Sequence, residues 1–292
     1  MNGRLPPEQW FPAGVEGIRV RRETLASGVA VRILEAGPAD GPAVLLVHGW
    51  AVTAYLWRHN ILPLAAAGYR VLALDLPGHG LSDAPSAAGS YTLERFAKCV
   101  IETLDACGVE CAAVAGQSMG GKIVVRAALD APARVSQLIL YGAVGFGLIP
   151  PWQALSPLIP TLPGEIIAKF IPREMVAFVQ HRVYGKLGFF TERDVDEYWA
   201  PTQFPAAVRA QFQMLQEFQW GLWDEISLRR LQTPTHVIFG TRDRTVRPRN
   251  AEALTKTLPN GRITWITDGG HVVMEEAPTR INAMLLSDLV GA

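Results

Sequence analysis

Residues 112–121 read Ala-Ala-Val-Ala-Gly-Gln-Ser-Met-Gly-Gly. A short apolar run, Ala112–Ala115, reads as a buried strand, and Met119–Leu129 follows as a helical pattern. Between them stands G-x-S-x-G, formed by Gly116, Ser118 and Gly120. A strand that turns this sharply into a helix forces its middle residue into a strained backbone conformation. The flanking residues must be small because the two backbones pass close together. Gly116 and Gly120 meet that need, and Gly121 adds room. Ser118 is then lifted above the sheet edge at a helix N-terminus, where free N–H groups and the helix dipole favour developing negative charge. A serine that only caps a helix needs no flanking glycines. The stretch therefore predicts a nucleophile on an α/β sheet.

The pattern extends outward on both sides. Ile18–Leu25 and Val29–Leu34 alternate like a hairpin around Ser27-Gly28. Ala43–Val47, Arg70–Leu74 and Ser136–Leu140 are further strand candidates, and Tyr55–Ala67 and Leu93–Cys107 read as helices. In the second helix Phe96, Val100, Leu104 and Cys107 share one face. After a long gap the alternation resumes with Thr235–Phe239 (strand), Ala251–Leu258 (helix), Ile263–Ile266 (strand) and Pro278–Leu289 (helix). Such alternation implies a mostly parallel sheet with helices on both faces.

The gap is Pro-punctuated and helix-like, and it carries four of the eight tryptophans, Trp152, Trp199, Trp220 and Trp223. The sheet pattern continues beyond it, so it reads as an inserted helical lid. The expected organisation is core over residues 1–146, lid over 147–228 and core again over 229–292.

Composition agrees. The chain has 292 residues, 49% hydrophobic and 18% charged, against about 25% charged in a typical domain. Lys+Arg and Asp+Glu are 27 each, so the basic footprint of a nucleic-acid binder is absent from the global balance. Three cysteines (Cys99, Cys107 and Cys111) without a C-x-x-C pair are a poor disulfide framework or zinc site. The N-terminal segment has no apolar signal-peptide core, and no run is long enough for a membrane span. A cytoplasmic enzyme without a membrane span is the expectation; the oligomeric state is not readable.

A serine hydroxyl needs a base. Of the six histidines, His59 falls in the first predicted helix, His236 in a strand and His181 in the lid. His271 follows the last strand in Asp268-Gly269-Gly270-His271, and the glycines let that loop fold over the sheet edge. The acid must orient the imidazole and stabilise its charged form. Asp243 follows Thr235–Phe239 at the same edge, whereas Tyr141-Gly142-Ala143, after the preceding strand, holds no acid. Asp268 is too close to His271 in sequence and reads as a turn former. For the oxyanion, the expected donors are the N–H groups of Met119, after the nucleophile, and Trp50, in His48-Gly49-Trp50 after Ala43–Val47. His48, Asp75 and His79 read as structural.

These motifs together resemble the α/β-hydrolase superfamily, in its lid-bearing serine esterase-like branch. The resemblance runs through His48–Trp50, Asp75–Asp83, Gly116–Gly121, Gly240–Asp243 and Gly270-His271, with the family's Ser…Asp…His chain order. It implies an eight-stranded, mostly parallel sheet and catalytic residues Ser118, Asp243 and His271, with Trp50 and Met119 as oxyanion donors. The aromatic lid implies an apolar acyl or alcohol group, so a small-molecule apolar ester of short-to-medium acyl or aryl type is the expected substrate, and a serine hydrolase mechanism requires no metal or organic cofactor. Haloalkane dehalogenases and epoxide hydrolases of this fold use an aspartate where Ser118 stands. Ring-cleavage C–C hydrolases are similar around Ser118–Gly121 and Tyr141–Gly147, but many carry tryptophan where this chain has Val272. Their acidic substrates would want an arginine, for which the lid offers Arg173, Arg182, Arg193 and Arg209. The resemblance is also compatible with perhydrolase or lactonase activity, and with a small-molecule receptor that turns over slowly.

Overall fold

The structure, a computed structural model, describes residues 3–149 and 164–290. Its sheet has eight strands: β1 (Ile18–Thr24), β2 (Ala30–Ala36), β3 (Ala43–Val47), β4 (Arg70–Leu74), β5 (Ala112–Gln117), β6 (Val135–Tyr141), β7 (Thr235–Gly240) and β8 (Gly261–Ile266). Their order across the sheet is β1-β2-β4-β3-β5-β6-β7-β8. β2 is antiparallel to both β1 and β4, and the pairs from β4 to β8 are parallel. The mostly parallel sheet expected from the sequence is the one observed.

The period of two along each strand separates two cores. Leu45, Leu72, Val114 and Leu138 pack on one face; Val44, Leu46, Ala73, Ala113 and Ile139 pack on the other. The first face is covered by α2 (Leu93–Ala106) and α3 (Met119–Asp130). Phe96, Val100, Leu104 and Cys107 all lie in that cluster, so the helical period read from the sequence is the packed face. The Thr92 side chain caps α2 by accepting from the Arg95 N–H.

Two helices differ from expectation. The predicted helix Tyr55–Ala67 is a 3₁₀ turn, Ala54–Trp57, followed by α1, Ile61–Ala66. Pro63 accounts for the break: it has no N–H and its ring excludes a carbonyl four residues earlier, so it is tolerated only in a first turn. His59 therefore lies between the two elements. The predicted helix Ala251–Leu258 ends at Thr255, and the chain then tightens ahead of Pro259, which disfavours helical geometry at Leu258.

Between β6 and β7 the described residues are helical: a turn at Gly164–Ile167, then α4 (Arg173–Val183), α5 (Glu192–Trp199), α6 (Pro205–Glu217) and α7 (Glu225–Arg230). Trp152 lies outside the described residues. After β7, α8 (Ala251–Thr255) leads to β8, and α9 (Pro278–Val290) ends the described chain.

The strand order decides where a site can form. From β3 the chain crosses to β4 on one side, whereas from β5 it proceeds to β6, β7 and β8 on the other. The carboxyl ends of β3 and β5 therefore flank a reversal of direction, where open α/β sheets leave a crevice. His48-Gly49-Trp50 stands at one wall and Ser118 at the other.

Candidate active site

Ser118 joins β5 to α3 with φ +54° and ψ −117°. Among the described residues, three non-glycine positions have positive φ: Ala51, Ser118 and Asp268. They belong to the loops after β3, β5 and β8. Each such conformation costs on the order of 1–3 kcal/mol and persists only when its surroundings over-determine it. At Ser118 they do. Its N–H donates to the Tyr141 carbonyl at 2.9 Å, and its carbonyl accepts from Val144 at 3.0 Å and Gly121 at 3.1 Å. The glycines are required by contact. A Cβ on Gly116 would lie 2.7 Å from the Gly120 carbonyl oxygen, one on Gly120 2.4 Å from the His48 oxygen, and one on Gly121 2.5 Å from the Ala143 Cβ.

His271 follows β8 through Asp268-Gly269-Gly270. Its Nδ1 is 2.7 Å from Asp243 Oδ2, with both side chains buried. The other Asp243 oxygen accepts the N–H groups of Thr245 at 2.9 Å and Val246 at 2.8 Å, which fixes the carboxylate. An ionised carboxylate only accepts, so the imidazole proton in this pair belongs on Nδ1 and Nε2 keeps its lone pair. Gln117, next to Ser118, donates from Nε2 to the His271 carbonyl at 3.3 Å. The backbone N–H of His271 donates to the Val183 carbonyl at 2.7 Å.

Ser118, 8% exposed, and His271 line one cavity of ≈ 660 Å³ together with Trp50. Its wall is largely apolar, with Val176, Val183, Val208, Phe212 and Leu215 from the helical segment. A Cβ on Gly49 would lie 3.0 Å from the Ser118 Cβ, which brings the Gly49–Trp50 peptide against Ser118. Met119 opens α3, where the N–H has no intrahelical acceptor. The Trp50 indole meets Trp220 edge-on, with centroids 6.3 Å apart, so the loop after β3 is packed against the helical segment.

The neighbouring histidines are held differently. His48 Nε2 accepts the Leu76 N–H at 3.0 Å, and its Nδ1 is 2.7 Å from the Gly49 carbonyl. His79 Nε2 accepts the Ala51 N–H at 3.3 Å. Burial lowers the pKa of both, most strongly at His79, where the His48 ring adds to it. Both rings are therefore neutral hydrogen-bonding struts for the loops. Asp75 accepts the Ala54 N–H at 2.7 Å and pairs with Arg32 at 3.0 Å.

Sequence reasoning passed over Gly142 because its tripeptide holds no acid. With φ +51°, a Cβ there would lie 2.9 Å from His271 Nδ1 and 3.0 Å from Asp243 Oδ2. This glycine makes the seat of the pair, and its position at the carboxyl end of a central strand was the available signal. Of the four arginines named in the helical segment, Arg173 pairs with Glu192 and Asp196, Arg193 pairs with Glu197, and Arg209 donates to the Ala84 carbonyl. Arg182 lines the cavity, as does Arg244 beside Asp243. Among the described residues, no group of three His, Cys, Asp or Glu could hold a metal, and no helix is long and apolar enough to cross a membrane.

Residues 42–278 match a family model described as the alpha/beta hydrolase fold. The AB hydrolase superfamily protein YfhM of Bacillus subtilis (strain 168) is 28% identical over 277 residues, covering 90% of this chain and 95% of that protein. The structure is similar to that of a serine hydrolase involved in carbazole degradation, with a TM-score of 0.79, 24% identity, and coverage of 94% of this chain and 100% of that one. It is also similar to epoxide hydrolase A from Mycobacterium thermoresistibile, with a TM-score of 0.76, 26% identity, and coverage of 94% and 98%. From its sheet order, its strand–serine–helix turn and the extent of the family match, this chain belongs to the α/β-hydrolase fold family.

Proposed function

We propose that this hydrolase cleaves carboxylic esters with apolar short-to-medium acyl or aryl groups through an acyl-enzyme on Ser118. One observation carries the reading: Ser118, held at positive φ, shares a cavity wall with His271, whose Nδ1 is bound to Asp243 at 2.7 Å. His271 Nε2 takes the Ser118 proton as Oγ attacks the ester carbonyl. The Asp243 carboxylate stabilises the imidazolium and keeps the ring in the tautomer that leaves Nε2 free. The Met119 and Trp50 N–H groups hold the oxyanion, and each such donor is worth about 2.7–4 kcal/mol in the transition state. The alcohol leaves with the proton from His271. Water, deprotonated by the same ring, then releases the acid.

The epoxide hydrolase likeness points to another chemistry, but that chemistry uses an aspartate nucleophile where this chain has Ser118. The apolar wall contributed by Val176, Val208 and Phe212 supports a hydrocarbon or aryl group next to the scissile bond. A second reading, C–C bond hydrolysis of an acidic diketone, is favoured by Arg182, which lines the cavity while Arg173 and Arg193 are engaged in ion pairs.

The test is turnover of aryl esters of graded acyl length by the native chain and by Ser118→Ala. Loss of a serine nucleophile is expected to lower kcat by about 10⁶-fold. Turnover retained in the variant removes the assignment. Faster cleavage of an acidic vinylogous diketone than of any ester selects the second reading.

A further inference from the structure

The segment that follows α4 does more than border the cavity; it is fastened to the loop that carries His271. The His271 N–H donates to the Val183 carbonyl at 2.7 Å, and the Lys186 N–H donates to the Asp268 carbonyl at 2.8 Å. The two backbones touch. A Cβ on Gly270 would lie 2.4 Å from the Gly185 nitrogen, and one on Gly185 would lie 2.3 Å from the Asp268 oxygen. One side chain spans the joint. Glu276, 4% exposed, accepts the Gly270 N–H on Oε1 at 2.7 Å and the Gly185 N–H on Oε2 at 2.8 Å.

A carboxylate is costly to bury unless its oxygens are hydrogen-bonded. Burial raises the Glu276 carboxyl above its ordinary range even with these backbone donors around it. An apolar side chain would fill the same space without that cost, but it could not tie Gly270 to Gly185. Removing the carboxylate takes this acceptor from the half-buried Gly185 N–H and from the buried Gly270 N–H, the latter on the residue immediately before His271. The ring itself is held at Nδ1 by Asp243, so the placement of Nε2 depends on where the main chain of residues 270 and 271 sits.

We propose that Glu276 is a positioning residue for His271, a carboxylate clamp that makes the reach of the base depend on the helical segment. The inference rests on His271 being the base of the reaction proposed above. Glu276 touches no reacting atom; it acts through the loop. A misplacement of about 1 Å at such a distance can cost on the order of 10²-fold in rate.

The experiment compares Glu276→Ala and Glu276→Gln with the native chain on one aryl ester. Thermal melts establish the folded state, and fluorophosphonate titration counts active sites. In Glu276→Ala, kcat per titrated site is expected to fall by about 10²-fold while KM stays within about threefold. Glu276→Gln keeps the volume and one acceptor oxygen, so it is expected to lie between Ala and native. It also carries the test if the alanine variant does not fold. Native kcat per site in folded Glu276→Gln and Glu276→Ala overturns the proposal. So does a fall in kcat matched by an equal rise in KM, or a loss explained wholly by a smaller folded fraction. Ser118→Ala, run in parallel, separates the failures. If it turns over, the site reading is wrong; if it is inactive and the Glu276 variants are native-like, only the clamp is wrong.

Discussion

His271 pairs with Asp243 just beyond the end of β7, and His236 pairs with Asp288 near its start. Both contacts are Nδ1 to Oδ2 at 2.7 Å, and both are buried. By distance and burial the two pairs are indistinguishable. They differ in what lies on the other nitrogen and the other oxygen. His236 Nε2 is taken by Thr264 Oγ1 at 2.7 Å, and Asp288 is bridged by Arg262, so that pair is closed. The Asp243 pair is anchored by two backbone N–H groups, and its histidine borders the cavity that holds Ser118. The carboxyl edge of the sheet, with its glycine turns and strained residues, leaves a nitrogen open. The opposite edge is packed until none is.

That contrast can be broken by substitution. The largest effect is expected at His271→Ala, where kcat on an aryl ester should fall by about 10⁶-fold; His236→Ala should leave kcat per folded molecule at the native value. If His236→Ala also abolishes turnover in folded protein, the two pairs are not functionally distinct. Next is Asp243→Asn, which keeps the shape but allows the wrong tautomer, with an expected loss of about 10⁴-fold. Asp288→Asn should show no comparable loss in the same steady-state assay.

Stability should move the other way. His236→Ala removes the ring that links Thr264 to Asp288, leaves the buried Asp288 Oδ2 and the Thr264 hydroxyl without that partner, and is expected to cost about 3 kcal/mol in a denaturant melt. The smallest effect is a pH slope. Burial lowers His48 and His79 below their ordinary 6.5, so the unfolded chain binds protons that the folded one refuses. Their contribution to stability is complete above pH about 6.5 and is lost as pH falls below it, by at most about 1.4 kcal/mol per pH unit for each ring. Over lower pH the raised Glu276 carboxyl works in the opposite sense, because there the folded chain is the one that holds the extra proton. Melts between pH 7.5 and 5.5 should show the histidine slope, and replacing His79 with glutamine should flatten it.

The parts of this molecule that are local in sequence were readable there. The turn around Ser118 announces itself through Gly116, Gly120 and Gly121, because each glycine answers a contact with a backbone a few residues away or on the adjacent strand. Asp243 and His271 could be named as candidates because each follows a strand whose apolar run is plain. Helix ends were less legible: Pro63 and Pro259 moved two of them. Gly142 was visible as a residue but not as a need, since its reason is a ring and a carboxylate contributed by the loops after β8 and β7. The clamp at Glu276 was not readable at all. Its partner, Gly185, is 91 residues away, in the loop between α4 and α5, where no strand or helix period sets the docking.

The central claim is that Ser118 is made unusually reactive by the His271–Asp243 pair. A fluorophosphonate probe, followed by mass mapping of the modified peptide, tests it most directly. The expected result is one label per chain on Ser118, absent in Ser118→Ala, strongly slowed in His271→Ala and unaffected in His236→Ala. Labelling elsewhere in the native chain, no labelling at all, or equal rates in His271→Ala and the native protein would contradict it.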